Sequence, residues 1–138
     1  MTDMQPNSPN SDYRNPKIHS DLINLYTQYF GVHKNMSKYL RIAILESEIL
    51  GSISTMMRLT IQINVMKGAG HAVSGRDVVA KIHDLRSHVE NVKSFSILLW
   101  QTKGISEGFF LAVMANIEEI GKQVAGWEKY LVKFLPKN

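Results

Sequence analysis

The stretch EGFFLAVMANIEEIGKQVAGWEKYLVKF, residues 107–134, decides the fold. Phe110, Val113, Ile117, Ile120, Val124, Trp127, Leu131 and Phe134 recur at alternating spacings of three and four without a miss. That period puts all eight on one face of a helix, as in a bundle or coiled-coil seam. Ser106 stands where a helix cap belongs, and Glu107 suits the positive end of the helix dipole. The same helix contains Gly121 and Gly126, each costing about 1 kcal/mol relative to alanine. Gly121 and Ala125 are four apart and share a face, where small residues let a neighbouring backbone approach. Gly126 lies on another face beside Trp127. Two readings stand: helix 4 is squeezed by its own bundle and by a second subunit, or one glycine relieves crowding inside a monomer.

Upstream, the helical texture continues. Ile18, Leu22, Leu25 and Tyr29 predict helix 1 over 18–31, with Ser20 and Asp21 near its start and Gly31 as its stop. Helix 2 is predicted over 36–66, roughly 45 Å long. It carries two apolar stripes: Leu40, Ala43, Ile44, Leu50, Met57 and Ile61, and beside them Ile42, Ile49, Ile53, Met56 and Ile63. A helix apolar over so much of its circumference must be covered from more than one side, by a partner subunit or by a central place in the bundle. KGAGHAVSG, 67–75, is a loop with Ser74 as a cap candidate. Val78, Ile82, Leu85, Val89, Val92 and Leu99 predict helix 3 over 76–102, which Gly104 closes. Residues 1–16 are polar and rich in Asn, Ser and Pro. They read as a disordered leader before a bundle domain at 17–135. The expected fold is all-α: an antiparallel up-down-up-down four-helix bundle.

Composition limits the chemistry. The 138 residues suit one domain, and no apolar run reaches the ~20 residues of a spanning helix. The N-terminus has no signal-peptide pattern. With no cysteine, there is neither a disulfide framework nor a thiolate site, which fits a cytoplasmic protein. The five histidines have no metal-ligand spacing: His83 and His88 diverge by about 140°. Asp84 and His88, four apart, read as a surface hydrogen bond. No nucleophile or phosphate-loop motif occurs. The expectation is therefore no catalytic site, no metal and no cofactor.

Charge is more informative. Net charge is +4, and no acidic residue lies between Glu48 and Asp77. A basic face favours polyanions. Lys38, Arg41, Arg58, Lys81, Arg86 and Lys93 are the candidate phosphate contacts. Glu90 is near enough in sequence to pair with Arg86 or Lys93 instead. Tyr26, Tyr29, Phe30 and Tyr39 cluster on helices 1 and 2, where most are expected in the core.

The last helix also carries a resemblance. Ile105-Ser106, then Glu119-Ile120-Gly121-Lys122, then Gly126-Trp127 resemble the accessory variability determinant (Avd) proteins of diversity-generating retroelements. MSKYLRIAILESEILGSISTMM and KIHDLRSHV are similar in layout, and the likeness spans about 17–134. The resemblance implies a non-enzymatic four-helix bundle assembled as a barrel-like homopentamer. It implies binding to a reverse transcriptase and to RNA or DNA during mutagenic cDNA synthesis and retrohoming. It also places Gly121, Ala125, Gly126 and Trp127 at close packing or subunit contacts. The chain departs from the family pattern in its modest charge, its leader, and the seven acidic residues from Asp77 onward. A related set of four-helix proteins, encoded within ribosomal-RNA intervening sequences, has a similar layout. It offers the alternative of an interaction scaffold with no nucleic-acid role.

Overall fold

The computed structural model describes residues 16–68 and 75–133. Most of the expected leader, the centre of the 67–75 loop with Ser74, and Phe134 lie outside the described residues. Within them the protein is all-helical, with four long helices and no strand. They are α1 (Pro16–Gly31), α2 (Gly51–Gly68), α3 (Gly75–Gln101) and α4 (Glu107–Lys133). A 3₁₀ turn, His33–Asn35, follows α1, and a π-helical segment, Leu40–Leu50, leads directly into α2.

Three helices follow their apolar periods. Ile18, Leu22, Leu25 and Tyr29 of α1 are fully buried. So are Ile82, Leu85, Val92 and Leu99 of α3, with Val78 and Val89 almost so. In α4 the seam from Val113 to Leu131 is buried, and Trp127 is only 4% exposed. Phe110, at its start, is half-buried and stacks on Trp100 at 4.5 Å between ring centres. Pro16 opens α1, where its missing N–H is no loss because that donor has no intrahelical partner. Ser106 caps α4 by accepting the Phe109 N–H at 3.1 Å.

The second helix departs from expectation. Residues 38–68 are helical throughout, but 40–50 are wound with i→i−5 bonds. The Ser47 hydroxyl donates to the Ile42 carbonyl at 2.8 Å, and the Gly51 N–H reaches the carbonyl of Glu46. The wider turn changes which side chains face inward. Ile44 and Leu45 both become buried, while Ile42 points out. Beyond Gly51 the α period resumes with Ile53, Met56 and Ile63 inside and Ile61 outside. Both expected stripes therefore reach the core in part: Ile44 and Leu50 of the first and Ile49, Ile53, Met56 and Ile63 of the second are buried, while Ile61 of the first and Ile42 of the second face out. The 3.6-residue reading failed here because the winding changes partway along the helix.

The end of α3 also differs in detail. Lys103, at φ 65°, takes the left-handed position, and the Gly104 N–H closes on the Leu99 carbonyl at 2.7 Å. Space is tight at Gly104: a Cβ there would sit 3.0 Å from Leu40 Cδ1 and 3.3 Å from Leu99 Cδ2, so these side chains would have to give way slightly.

Each helix packs on two others: α1 and α3 both contact α2 and α4. Several polar pairs fix the registers. Asp21 meets Gln123 at 2.7 Å and Gln28 meets Asn116 at 2.7 Å, linking α1 to α4. Ser52 of α2 accepts from Asn91 Nδ2 at 2.7 Å and lies 3.1 Å from His88 Nδ1, both on α3. His88 thus turns inward to Ser52 rather than pairing with Asp84 at the surface. Across the core, the Tyr29 hydroxyl bonds to Ser96 Oγ, joining α1 to α3. Burial pushes the Tyr29 hydroxyl pKa up to about 12, the Ser96 bond opposing this only in part.

Candidate nucleic-acid interface

The six candidate cations fall on two different surfaces. Lys38, Arg41 and Arg58 belong to the long second helix; Lys81, Arg86 and Lys93 belong to α3.

On the α3 surface the charge is largely neutralised. Arg86 Nη1 lies 2.9 Å from Glu128 Oε1, and His83 approaches the same carboxylate at 3.3 Å. Lys93, only 24% exposed, sits between Glu90 at 3.5 Å and Glu118 at 3.6 Å. Two of the three acids come from α4, so the pairings were visible only once the helices were placed. Lys81 is half-buried, with no carboxylate within 4 Å among the described residues. Between α3 and α4 runs a groove of about 280 Å³, with Val89, Gly121, Val124 and Ala125 among its lining residues and Arg86, Lys93, Glu90 and Glu118 beside them.

The small residues of α4 separate in the same way. A Cβ on Gly121 would meet Val89 Cγ1 at 3.5 Å, an ordinary contact. Gly126 has nothing within 4 Å and is exposed, as is Ala125. Within one chain, then, neither glycine is demanded by a clash. Trp127 is buried in the seam, and its Nε1 has no hydrogen-bond partner among the described residues.

On the other surface the cations keep their charge. Among the described residues, no carboxylate lies within 4 Å of Lys34, Lys38 or Arg58. Arg58 is exposed and donates to its neighbour Thr55 at 3.1 Å. Arg41 is 3.9 Å from Glu46, a loose pair. A second groove of about 280 Å³ lies between the end of α1 and the second helix. Tyr26, Phe30, His33, Glu46 and Ser54 line it. Phe30 is 58% exposed and stacks on His33, with ring centres 5.5 Å apart and planes 25° from parallel. His33 Nε2 in turn bonds to the Glu46 carboxylate. Tyr39, just before the π segment, is 72% exposed.

The expectation that the aromatics of helices 1 and 2 are mostly core is thus corrected. Tyr29 is buried and Tyr26 half-buried, whereas Phe30 and Tyr39 face solvent. One signal was available for Phe30: it follows Tyr29, one residue out of phase with the buried stripe, so it had to point away. Glu46 and His33 gave no such signal, because their meeting depends on the π winding.

Among the described residues, no group of three or more His, Asp or Glu side chains could hold a metal ion. No helix there is long and apolar enough to cross a membrane. No family model matches the chain, and no curated protein or solved structure matches it significantly.

Proposed function

We propose that this chain is a non-enzymatic accessory protein of a diversity-generating retroelement. It binds the element's reverse transcriptase and RNA or DNA in the cytoplasm and supports mutagenic cDNA synthesis and retrohoming. Its helices run up-down-up-down. The pairs Asp21–Gln123 and Gln28–Asn116 support that order, because residue numbers rise on α1 as they fall on α4. The His19–Thr60 and His33–Glu46 contacts support the same for the first and second helices. Copies join into a barrel-like homo-oligomer, a pentamer by the family resemblance. Ile42, Ile61 and Val65 support assembly, since all three are apolar and exposed on the second helix. Gly126 of α4, with nothing within 4 Å of a Cβ there among the described residues, supplies a second place for a neighbour to approach closely, and Ala125 on the adjoining face is likewise exposed.

One observation carries the nucleic-acid part of this reading. Lys38 and Arg58 have no acidic partner among the described residues, on a helix whose Glu46, Leu50 and Ser54 line a groove with the exposed Phe30 ring, in the part of the chain poorest in acidic residues. Neutralisation of Arg86 and Lys93 favours a second reading for the α3/α4 surface: a protein-contact face of the interaction-scaffold kind.

A cell-free synthesis assay tests the proposal. A reverse transcriptase of a diversity-generating retroelement is incubated with its template RNA, with and without the purified chain. Template-primed cDNA should form only with the chain present. Equal cDNA in both reactions would refute the accessory role.

A further inference from the structure

The groove beside the π segment has the composition of a single-strand binding site. A base has two recognisable parts, a flat π-face and a hydrogen-bonding edge, and it arrives attached to a phosphate. The groove offers a partner for the first two, and the elements that form it carry cations for the third. The Phe30 ring is exposed, and its orientation is held by stacking on His33. His33 is itself tethered to Glu46, which belongs to a different element. The ring therefore starts out ordered, and little freedom is lost when a base stacks on it.

Glu46 lines the same groove and is partly open to solvent. A carboxylate is acceptor-only, with about four lone-pair sites. His33 and Arg41 both approach Oε2, so Oε1 keeps acceptor capacity on a residue that lines the groove. Cytosine, adenine and guanine carry an exocyclic amine that donates to such a group, whereas uracil has no amine and its one edge donor, N3–H, lies between two carbonyl oxygens that repel a carboxylate. Lys34 follows His33 in the 3₁₀ turn, and Lys38 and Arg58 lie on the same helix as Glu46 and Ser54; none has an acidic partner among the described residues, so each can take a phosphate of the bound strand.

On this basis we infer that the groove between α1 and the π segment binds single-stranded nucleic acid. One amine-bearing base stacks on Phe30 with its edge toward Glu46. The inference rests on the nucleic-acid reading above, and it adds a base-specific site to what would otherwise be phosphate binding alone.

The test uses the full chain and three fluorescein-labelled 12-nucleotide probes in anisotropy titrations: oligocytidine, oligouridine, and an abasic strand with the same phosphates. Wild type should bind oligocytidine at least about fivefold tighter than the abasic strand. Phe30→Ala should weaken oligocytidine binding by roughly 5- to 100-fold and leave the abasic strand unchanged. Phe30→Leu keeps apolar bulk without a ring, so it should behave as Phe30→Ala does. Oligouridine should bind several-fold more weakly than oligocytidine, and Glu46→Gln should narrow that gap. If Phe30→Ala and Phe30→Leu bind oligocytidine as wild type does, the stacking site is overturned while phosphate binding stands. Equal wild-type binding of the two homopolymers overturns the edge readout. A wild-type chain that binds none of the three strands overturns both this inference and the nucleic-acid reading beneath it.

Discussion

Tyr29→Phe tests the core through a single oxygen atom. Tyr29 is fully buried in the last turns of α1. Its ring meets Phe109 of α4 edge-on at 5.3 Å, and its hydroxyl bonds to Ser96 of α3. The substitution keeps the ring and removes only the oxygen. Ser96 Oγ, itself fully buried, then loses its interhelical partner. Leaving a buried hydroxyl short of a partner costs about 1–2 kcal/mol, softened if it turns to a carbonyl of its own helix. For a chain of this size that is a fall of roughly 4–8 °C in Tm. Removing both partners should cost less than the sum of the single changes, because no stranded hydroxyl remains. Calorimetry of Tyr29→Phe, Ser96→Ala and the double variant measures this coupling.

Alkaline pH gives an independent readout of the same group. The folded-state pKa is raised from 10.0 to about 12, so the folded state favours the neutral phenol. Its contribution to stability is complete below pH 10 and is lost as pH rises from 10 toward 12. A shift of this size corresponds to at most about 3 kcal/mol. Between pH 10 and 12, stability should therefore fall more steeply for wild type than for Tyr29→Phe. Strictly additive variants with superimposable alkaline profiles would refute the placement of this hydroxyl in the core.

Three further outcomes follow from other parts of the molecule. Gly126→Leu should leave the single-chain fold intact and gain about 0.5–1 kcal/mol of helix propensity, yet reduce assembly in sedimentation velocity; unchanged assembly would remove Gly126 from the subunit contact. Arg86→Glu brings like charge to Glu128 and should cost about 0.5–1 kcal/mol in urea unfolding, while weakening RNA binding less than Arg58→Glu does; the reverse ranking would return the phosphate contacts to α3. Burial works against the ionised form of Asp21, but bonds from Lys17 and Gln123 outweigh it and hold its pKa below the usual 3.8. Its contribution is present above pH 3.8 and is lost as pH falls through the lower folded value. Asp21→Asn should consequently flatten the acid limb of the stability profile, and an unaltered limb would show that these bonds contribute nothing.

Much of the fold was legible because three helices keep one period from end to end. Val113 through Leu131 and Ile18 through Tyr29 are buried as their spacing requires. The Ser106 cap was legible too, because it depends on residues three apart. The second helix misled because its winding changes at Gly51, and hydrophobic spacing carries no mark of where a π segment yields to an α-helix. The candidate site was less legible. Glu90 was a visible partner for Arg86 or Lys93, but Glu128 and Glu118 lie 42 and 25 positions away and are brought close only by helix packing. The groove of Phe30, His33 and Glu46 joins three elements, and only the outward direction of Phe30 could be read in advance.

The salt dependence of single-strand binding tests the central claim most directly. If Lys34, Lys38, Arg41 and Arg58 each neutralise a phosphate, log K should fall against log salt with a slope near −2.8, about −0.7 for each of the four contacts. Raising salt from about 50 to about 200 mM should then weaken oligocytidine binding roughly 50-fold. An affinity that does not change across that range, or no binding even at the lowest salt, would contradict the account.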